Sequence, residues 1–175
     1  MRADTLPSFK NSDEPVELFG ARPGRSRCFG CSPQNAIGLG LTMRRTEGAG
    51  LVSTFRVPER FESYPGVVHG GIVSTILDEV MGNVPAVLEG KLCFTVTLRV
   101  KYIAPLRINQ LYRCIARRLD DGDSNGDLYK VDGTIETADT GEVVTFATAT
   151  YKWIELRQAT SEMVNMSDYA GHLKP

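Results

Sequence analysis

The chain has little of what marks membrane-spanning, secreted or nucleic-acid-binding proteins. Its 20 Lys and Arg residues nearly cancel its 21 Asp and Glu residues, so no basic surface for nucleic acid or an anionic membrane is indicated. No uninterrupted apolar run approaches the length that spans a bilayer. Residues 1–10 lack the apolar core of a signal peptide. We therefore expect a soluble, cytoplasmic protein with neither a nucleic-acid nor a membrane partner.

Histidine and cysteine are also scarce. Two histidines argue against a histidine-rich metal site. Cys93 and Cys114 stand singly in apolar strand patterns and are interpreted as small buried side chains in a reducing compartment. Cys28 and Cys31 form half of a zinc-ribbon signature, but neither a second pair nor a nearby histidine completes it. We interpret this pair as a tight loop with Gly30, and expect no metal and no cofactor.

What the chain does contain is one long helical pattern among short strand patterns. We divide the chain into an N-terminal arm (1–27), one domain (28–154) and a C-terminal tail (155–175). The strand patterns lie at 39–43, 51–57, 94–102, 111–119, 128–137 and 143–154. Short turns separate the last four. One of them, at 120–127, nearly matches a calcium loop when Asp132 is included, but it is interpreted as an Asp/Gly hairpin turn. The predicted fold class is α+β, with an antiparallel sheet of five to six strands wrapped around one central helix.

The helical pattern begins after His69 and contains one aspartate. At about 100° per residue, one half of the helix is apolar and the other half carries mostly small residues. The apolar half comprises Ile72, Val73, Ile76, Leu77, Val80, Met81 and Val84, and the small half comprises Gly71, Ser74, Thr75, Asp78, Gly82 and Ala86. Such a helix is expected to be covered on both sides, where Asp78 is costly unless it is paired or used. Pro85 or Gly90 is expected to weaken or end the helix.

The residues around this helix resemble a known family. The stretch Gly66-Val67-Val68-His69-Gly70-Gly71-Ile72, followed by Leu77-Asp78-Glu79, resembles the signature of hotdog-fold acyl-CoA thioesterases of the PaaI type. Residues 28–39 and 95–102 resemble that family as well, so the likeness covers residues 28–153. The resemblance implies the hotdog fold, a homodimer or homotetramer, and hydrolysis of an acyl-CoA or a carrier-protein acyl thioester to the free acid and the thiol.

The resemblance also implies roles for individual residues. Asp78 would act as general base or nucleophile, the backbone N–H of Gly70 would hold the oxyanion, and His69 would shape the turn. Thr95 would help to place the attacking water. The alternation of its strand, however, puts Thr95 on the face opposite Phe94, away from the helix, unless a bulge turns it.

Three residues are assigned to substrate binding: Gly71, Ser63 and Glu79. Many relatives carry Asn or Gln in the loop before the histidine, where this chain has Phe61-Glu62-Ser63-Tyr64-Pro65. Either Ser63 or Glu62 replaces that contact with the thioester, or the contact is missing. A position in solvent or in an interface is favoured for Glu79, with a share in the base role of Asp78 as the alternative.

The chemistry itself requires a second chain. Thioester hydrolysis needs a hydrogen-bond donor for the developing oxyanion and a base or nucleophile near the same carbonyl. Gly70 and Asp78 are eight residues apart, about 12 Å along a helix. A two-fold dimer with antiparallel central helices would bring Gly70 of one chain to Asp78 of the other. The alternatives are a non-catalytic acyl-CoA-binding hotdog module and a hotdog enoyl-CoA hydratase.

Overall fold

The computed structural model describes residues 11–16, 18, 26–46, 48, 50–119 and 128–153. The predicted C-terminal tail and the predicted turn at 120–127 lie outside these residues, as does much of the predicted arm. Within these described residues, seven strands and one long helix follow one another. They are β1 (Asn11–Pro15), β2 (Arg44–Thr46), β3 (Gly50–Arg56), α1 (Gly70–Glu89), β4 (Cys93–Tyr102), β5 (Leu111–Arg118), β6 (Leu128–Thr137) and β7 (Val143–Trp153).

All seven strands form one antiparallel sheet, in the order β1-β2-β3-β5-β6-β7-β4. Helix α1 follows β3 in the chain and packs against β3 to β7. Ile76, Leu77 and Met81 are fully buried between the helix and the sheet. The close approach of α1 to β6 depends on Gly133, where a Cβ atom would stand 2.7 Å from Met81 Sδ. The predicted sheet around one central helix is thus confirmed.

The N-terminal half of the sheet differs from the prediction. The arm contributes β1, which pairs with β2 and makes the sheet one strand larger than predicted. The alternating residues Leu39, Leu41 and Met43 do not form a strand, since β2 begins only at Arg44. The Leu39 and Leu41 N–H groups instead donate to the carbonyls of Phe29 and Gly30, at 2.7 and 2.8 Å. The alternation therefore reflects burial beside a loop rather than strand pairing.

Helix α1 runs past one of its two predicted breakers. Pro85 is buried within the helix, and the helix continues to Glu89. Gly90 ends it in the left-handed conformation, with φ 69°, and its N–H donates to the Ala86 carbonyl. By length and composition alone α1 could also cross a membrane, although its apolar half is buried against the sheet as the core of the domain. The sequence of α1 contains no uninterrupted apolar run of this length, because small and polar residues on the other half of the helix interrupt it.

Candidate active site

Asp78 is half-buried on α1 and is held by two hydroxyl groups from the sheet. Thr95 Oγ1 on β4 donates to Asp78 Oδ1 at 2.8 Å. The Tyr151 hydroxyl on β7 lies 3.3 Å from the same oxygen and 3.3 Å from the Asp78 carbonyl oxygen. Burial, reinforced by the Asp78 charge, raises the pKa of Tyr151, so the phenol stays protonated as a donor. Both hydroxyls meet Oδ1, and within the described residues Oδ2 has no hydrogen-bond partner.

A bulge in β4 brings Thr95 to Asp78. Thr95 pairs with Tyr151 and Thr97 pairs with Thr150, so Val96 is an extra residue in the ladder. On one side of the bulge Thr95 faces the helix, while the side chains of Phe94 and Val96 are 50% and 54% exposed. The placement of Thr95 away from the helix by simple alternation is therefore wrong. A bulge reverses the face on which the following residues lie, so Thr95 and Leu98 can both face the helix although they are three residues apart.

The start of α1 presents backbone donors. His69 is the N-cap, and its Nδ1 accepts the Gly71 N–H at 3.0 Å. Gly70 N–H has no acceptor among the described residues. The Tyr102 hydroxyl from β4 lies 3.1 Å from the Gly70 carbonyl oxygen and 2.6 Å from Ser74 Oγ, which fixes this first turn against the sheet. An unpaired N–H at a helix N-terminus favours negative charge on a bound oxygen.

The two groups do not meet within one chain. Asp78 follows Gly70 by eight residues of continuous helix, about 12 Å along the axis. A single carbonyl cannot lie within hydrogen-bonding distance of the Gly70 N–H and beside Asp78 of the same chain. Within one protomer, Gly70 and Asp78 therefore cannot act on the same carbonyl.

The remaining predicted site residues have other neighbours. Ser63 is exposed in the turn before His69, and its N–H donates to the Val67 carbonyl at 2.9 Å. The Glu62 carboxylate accepts the Gly66 N–H within that turn. Gly71 uses its N–H in the cap described above. Glu79, although adjacent to Asp78 in sequence, contacts the Cys28 thiol and the side-chain amide of Asn83.

Sequence reasoning missed two tyrosines at this site. Tyr151 continues the buried alternation of Ala147 and Ala149 on β7, a pattern that assigns it to the face covered by the helix. Tyr102 ends the apolar run of β4 but carries a polar hydroxyl that needs a partner. The alternation could have placed both residues near the helix. It could not have identified Asp78 or Gly70 as their partners.

One family model matches the chain across this site. Residues 65–124 match the model described as the thioesterase superfamily. The matched segment runs from the turn before His69 through β4 and β5 and includes Gly70, Asp78 and Thr95. The similarity to this superfamily is thus found over residues 65–124. No curated protein matches the chain.

Solved structures share the fold. A thioesterase superfamily protein has a TM-score of 0.65 at 23% identity, and the match covers 72% of this chain and 60% of that protein. A phenylacetic acid degradation-related protein from Ralstonia eutropha has a TM-score of 0.59 at 26% identity, covering 71% of this chain and 92% of that one. A thioesterase protein from Streptococcus pneumoniae, solved with coenzyme A, has a TM-score of 0.57 at 21% identity over 64% of this chain and 84% of its own. The predicted hotdog fold is confirmed.

Proposed function

We propose that this protein is a PaaI-type thioesterase that hydrolyses an acyl-CoA, or an acyl group on a carrier protein, to the free acid and the thiol without a cofactor. The observation that carries the proposal is the setting of the Asp78 carboxylate. Two hydroxyl groups from the sheet hydrogen-bond to one of its oxygens, and the helix that carries Asp78 also presents the Gly70 N–H. The S. pneumoniae relative, solved with coenzyme A, supports a CoA thioester as substrate. The cytoplasmic location stays a prediction.

In the proposed reaction each group has one task. Asp78 either removes a proton from the attacking water or attacks the thioester carbonyl itself. The Gly70 N–H stabilises the oxyanion of the tetrahedral intermediate. Thr95 and Tyr151 orient the carboxylate, and the Thr95 hydroxyl also helps to place the water. His69 keeps the first turn of α1 in shape through its bond to the Gly71 N–H.

We further propose that the site is shared between two chains. The separation of Gly70 and Asp78 requires a second protomer, and β4 is suited to meet one. It lies at the end of the strand order and exposes half of Phe94, Val96 and Tyr102. A long edge strand with apolar side chains pairs readily with another chain. A homodimer built through this edge, alone or within a tetramer, is the assembly that the mechanism needs.

Asp78→Asn tests the catalytic role. Asn keeps the shape of the side chain and an oxygen that accepts from Thr95, so folding and dimerisation should persist. Turnover should fall by about 10²–10⁴-fold, the usual contribution of a general base. The matched control is Asp139→Asn in the exposed turn before β7, which should keep full activity. Hydrolysis by the Asp78 variant at the wild-type rate would refute the proposal.

Mixing two inactive variants tests the shared site. Asp78→Asn damages one half, and Gly70→Pro removes the N–H of the other half. In a mixed dimer, the intact Gly70 of one chain meets the intact Asp78 of its partner, so one of its two sites is restored. Random exchange makes half of the dimers mixed, which predicts about one quarter of the wild-type activity. No recovery, although mixed dimers form, would show that each chain carries a complete site.

A substrate panel separates the remaining alternatives. Release of thiol from acyl-CoA substrates of varied chain length supports hydrolysis and identifies the acyl group. Tight binding without release would instead indicate the non-catalytic acyl-CoA-binding module. Water addition to an enoyl-CoA would indicate the hydratase.

A further inference from the structure

A cluster of three ligand-bearing side chains lies beside α1, on the face next to the one that carries Asp78. The thiols of Cys28 and Cys31 and the carboxylate of Glu79 each place one ligand atom within 4.8 Å of the other two. Cys31 is buried, while Cys28 and Glu79 are half-buried, so the cluster is reachable from solvent. Both cysteines are free thiols. Glu79 supplies the third group that the Cys-x-x-Cys pair lacks in the sequence.

The spacing of these atoms fits a tetrahedral zinc ion. Zinc binds thiolate sulfur at about 2.3 Å and carboxylate oxygen at about 2.0–2.2 Å. Two such ligands at a tetrahedral angle are therefore roughly 3.5 Å apart. The Cys28 sulfur lies 3.4 and 3.6 Å from the two Glu79 oxygens. These two separations are compatible with one ion between the ligands, and the Cys31 sulfur lies within 4.8 Å of both of the other ligand atoms.

The loop is shaped to bring the Glu79 carboxylate beside the two thiols. The Cys28 thiol contacts both carboxylate oxygens. Gly30 also admits the carboxylate, because a Cβ atom there would stand 2.2 Å from Glu79 Oε2. A divalent cation bound between these three groups would be held by ligands that the loop and α1 already place together.

We propose that Cys28, Cys31 and Glu79 bind one Zn²⁺ ion per chain, with a water molecule as the fourth ligand. Each thiol that is protonated loses its proton to solvent when it binds, so the ion is held by two thiolates and one carboxylate. The ion would fasten the loop at residues 28–31 to the middle of α1, directly after Asp78. Soft thiolate ligands with one carboxylate select zinc over magnesium or calcium.

Metal content and cobalt substitution test the site directly. Full-length protein purified under reducing conditions should retain about one zinc per chain after gel filtration, measured by mass spectrometry of the metal. Replacement by Co²⁺ should give a sulfur-to-cobalt charge-transfer band and the strong visible absorption of tetrahedral cobalt. A wild-type chain without bound zinc, or with a Cys28–Cys31 disulfide in its place, would overturn the proposal.

Three variants and two controls identify the ligands. Cys28→Ser, Cys31→Ser and Glu79→Gln should each weaken zinc binding by at least ~10-fold, the lower limit seen when even an outer partner of a metal site is lost. Cys93→Ser removes a half-buried thiol outside the cluster and should bind zinc as wild type does. Asp78→Asn should also bind zinc normally, which separates this site from the proposed catalytic one. Unchanged affinity in Glu79→Gln would overturn the three-ligand site, and circular dichroism of every variant confirms folding.

Discussion

Replacement of Gly70 by proline removes one hydrogen-bond donor and should change little else in the structure. Position 70 is the first residue of α1, where proline is favoured because its missing N–H is not needed by the helix. The preceding residue must be extended before a proline, and His69 already has φ −61° and ψ 132°. The Gly70 carbonyl, which accepts from Tyr102, is unchanged. The variant should therefore fold and keep the first turn in place.

The expected effect follows from the loss of that single donor. One oxyanion donor contributes about 10²–10³ in kcat, or roughly 2.7–4 kcal/mol. Gly70→Pro should lose that much of kcat. Gly70→Ala keeps the N–H, and its Cβ atom would meet the Tyr102 ring at 3.8–3.9 Å, an ordinary contact. It should lose less than about tenfold, the loss expected from added bulk without a lost donor.

The assay is thiol release from one acyl-CoA, with kcat and KM measured for wild type and both variants. Circular dichroism and gel filtration establish that each variant is folded and assembled. A folded Gly70→Pro variant with kcat within tenfold of wild type would refute the role of this N–H. Equal damage by alanine and proline would show that space at position 70, rather than the donor, decides turnover.

Three further predictions concern single positions. Thr95→Val should lower kcat/KM by about 10–100-fold, because it removes a hydrogen bond to a charged group. Thr95→Ser should keep most of the activity, and Thr97→Val on the outer face should have no effect. Activity in Thr95→Val equal to wild type would contradict the role of the hydroxyl. In metal-free protein the rate of Cys28 alkylation should rise with pH around a midpoint of about 7, while burial raises the pKa of Cys93 to about 12; equal reactivity of both thiols at pH 7, by peptide mass spectrometry, would contradict the arrangement of the loop. Gly90→Ala should lower the free energy of unfolding by about 1 kcal/mol, because φ at this position is 69°, and an unchanged urea midpoint would contradict that reason.

Periodicity predicted the elements that the core depends on. Strand β6 has the predicted bounds, and β5, β7 and α1 begin at the predicted residues. These segments bury one face against a common core, so their side-chain pattern is set by the same packing that forms them. At residues 39–43 alternate side chains pack into the core although this backbone does not form a strand, so the alternation there indicates burial only. Strand β1 lies in a polar segment and is formed by backbone pairing at a sheet edge, which leaves no apolar signal.

The candidate site was predictable at Asp78 and Gly70 but not in its supporting contacts. An aspartate in an apolar helix is visible in the sequence because its burial is costly. The bulge at Val96 is not visible, since Thr95, Val96 and Thr97 continue the same alternation. The partner of Asp78 therefore depends on a backbone irregularity that side-chain identity does not encode. Tyr151, 73 residues away, reaches Asp78 only through the order of strands in the sheet.

Asp78 and Glu79 show how one helix turn can serve two sites. Consecutive helical residues point about 100° apart, so Asp78 meets Thr95 from the sheet while Glu79 meets Cys28 from the N-terminal loop. The sequence predicts only a loop for the Cys-x-x-Cys pair, because Glu79 is 48 residues from Cys31 and no spacing rule joins the two. If Glu79 holds zinc, loss of the ion will also loosen the helix beside Asp78. A lower turnover in Glu79→Gln could then come from the lost ion alone. It is evidence for catalysis by Glu79 only if Glu79→Gln is also slower than wild type when both proteins are metal-free.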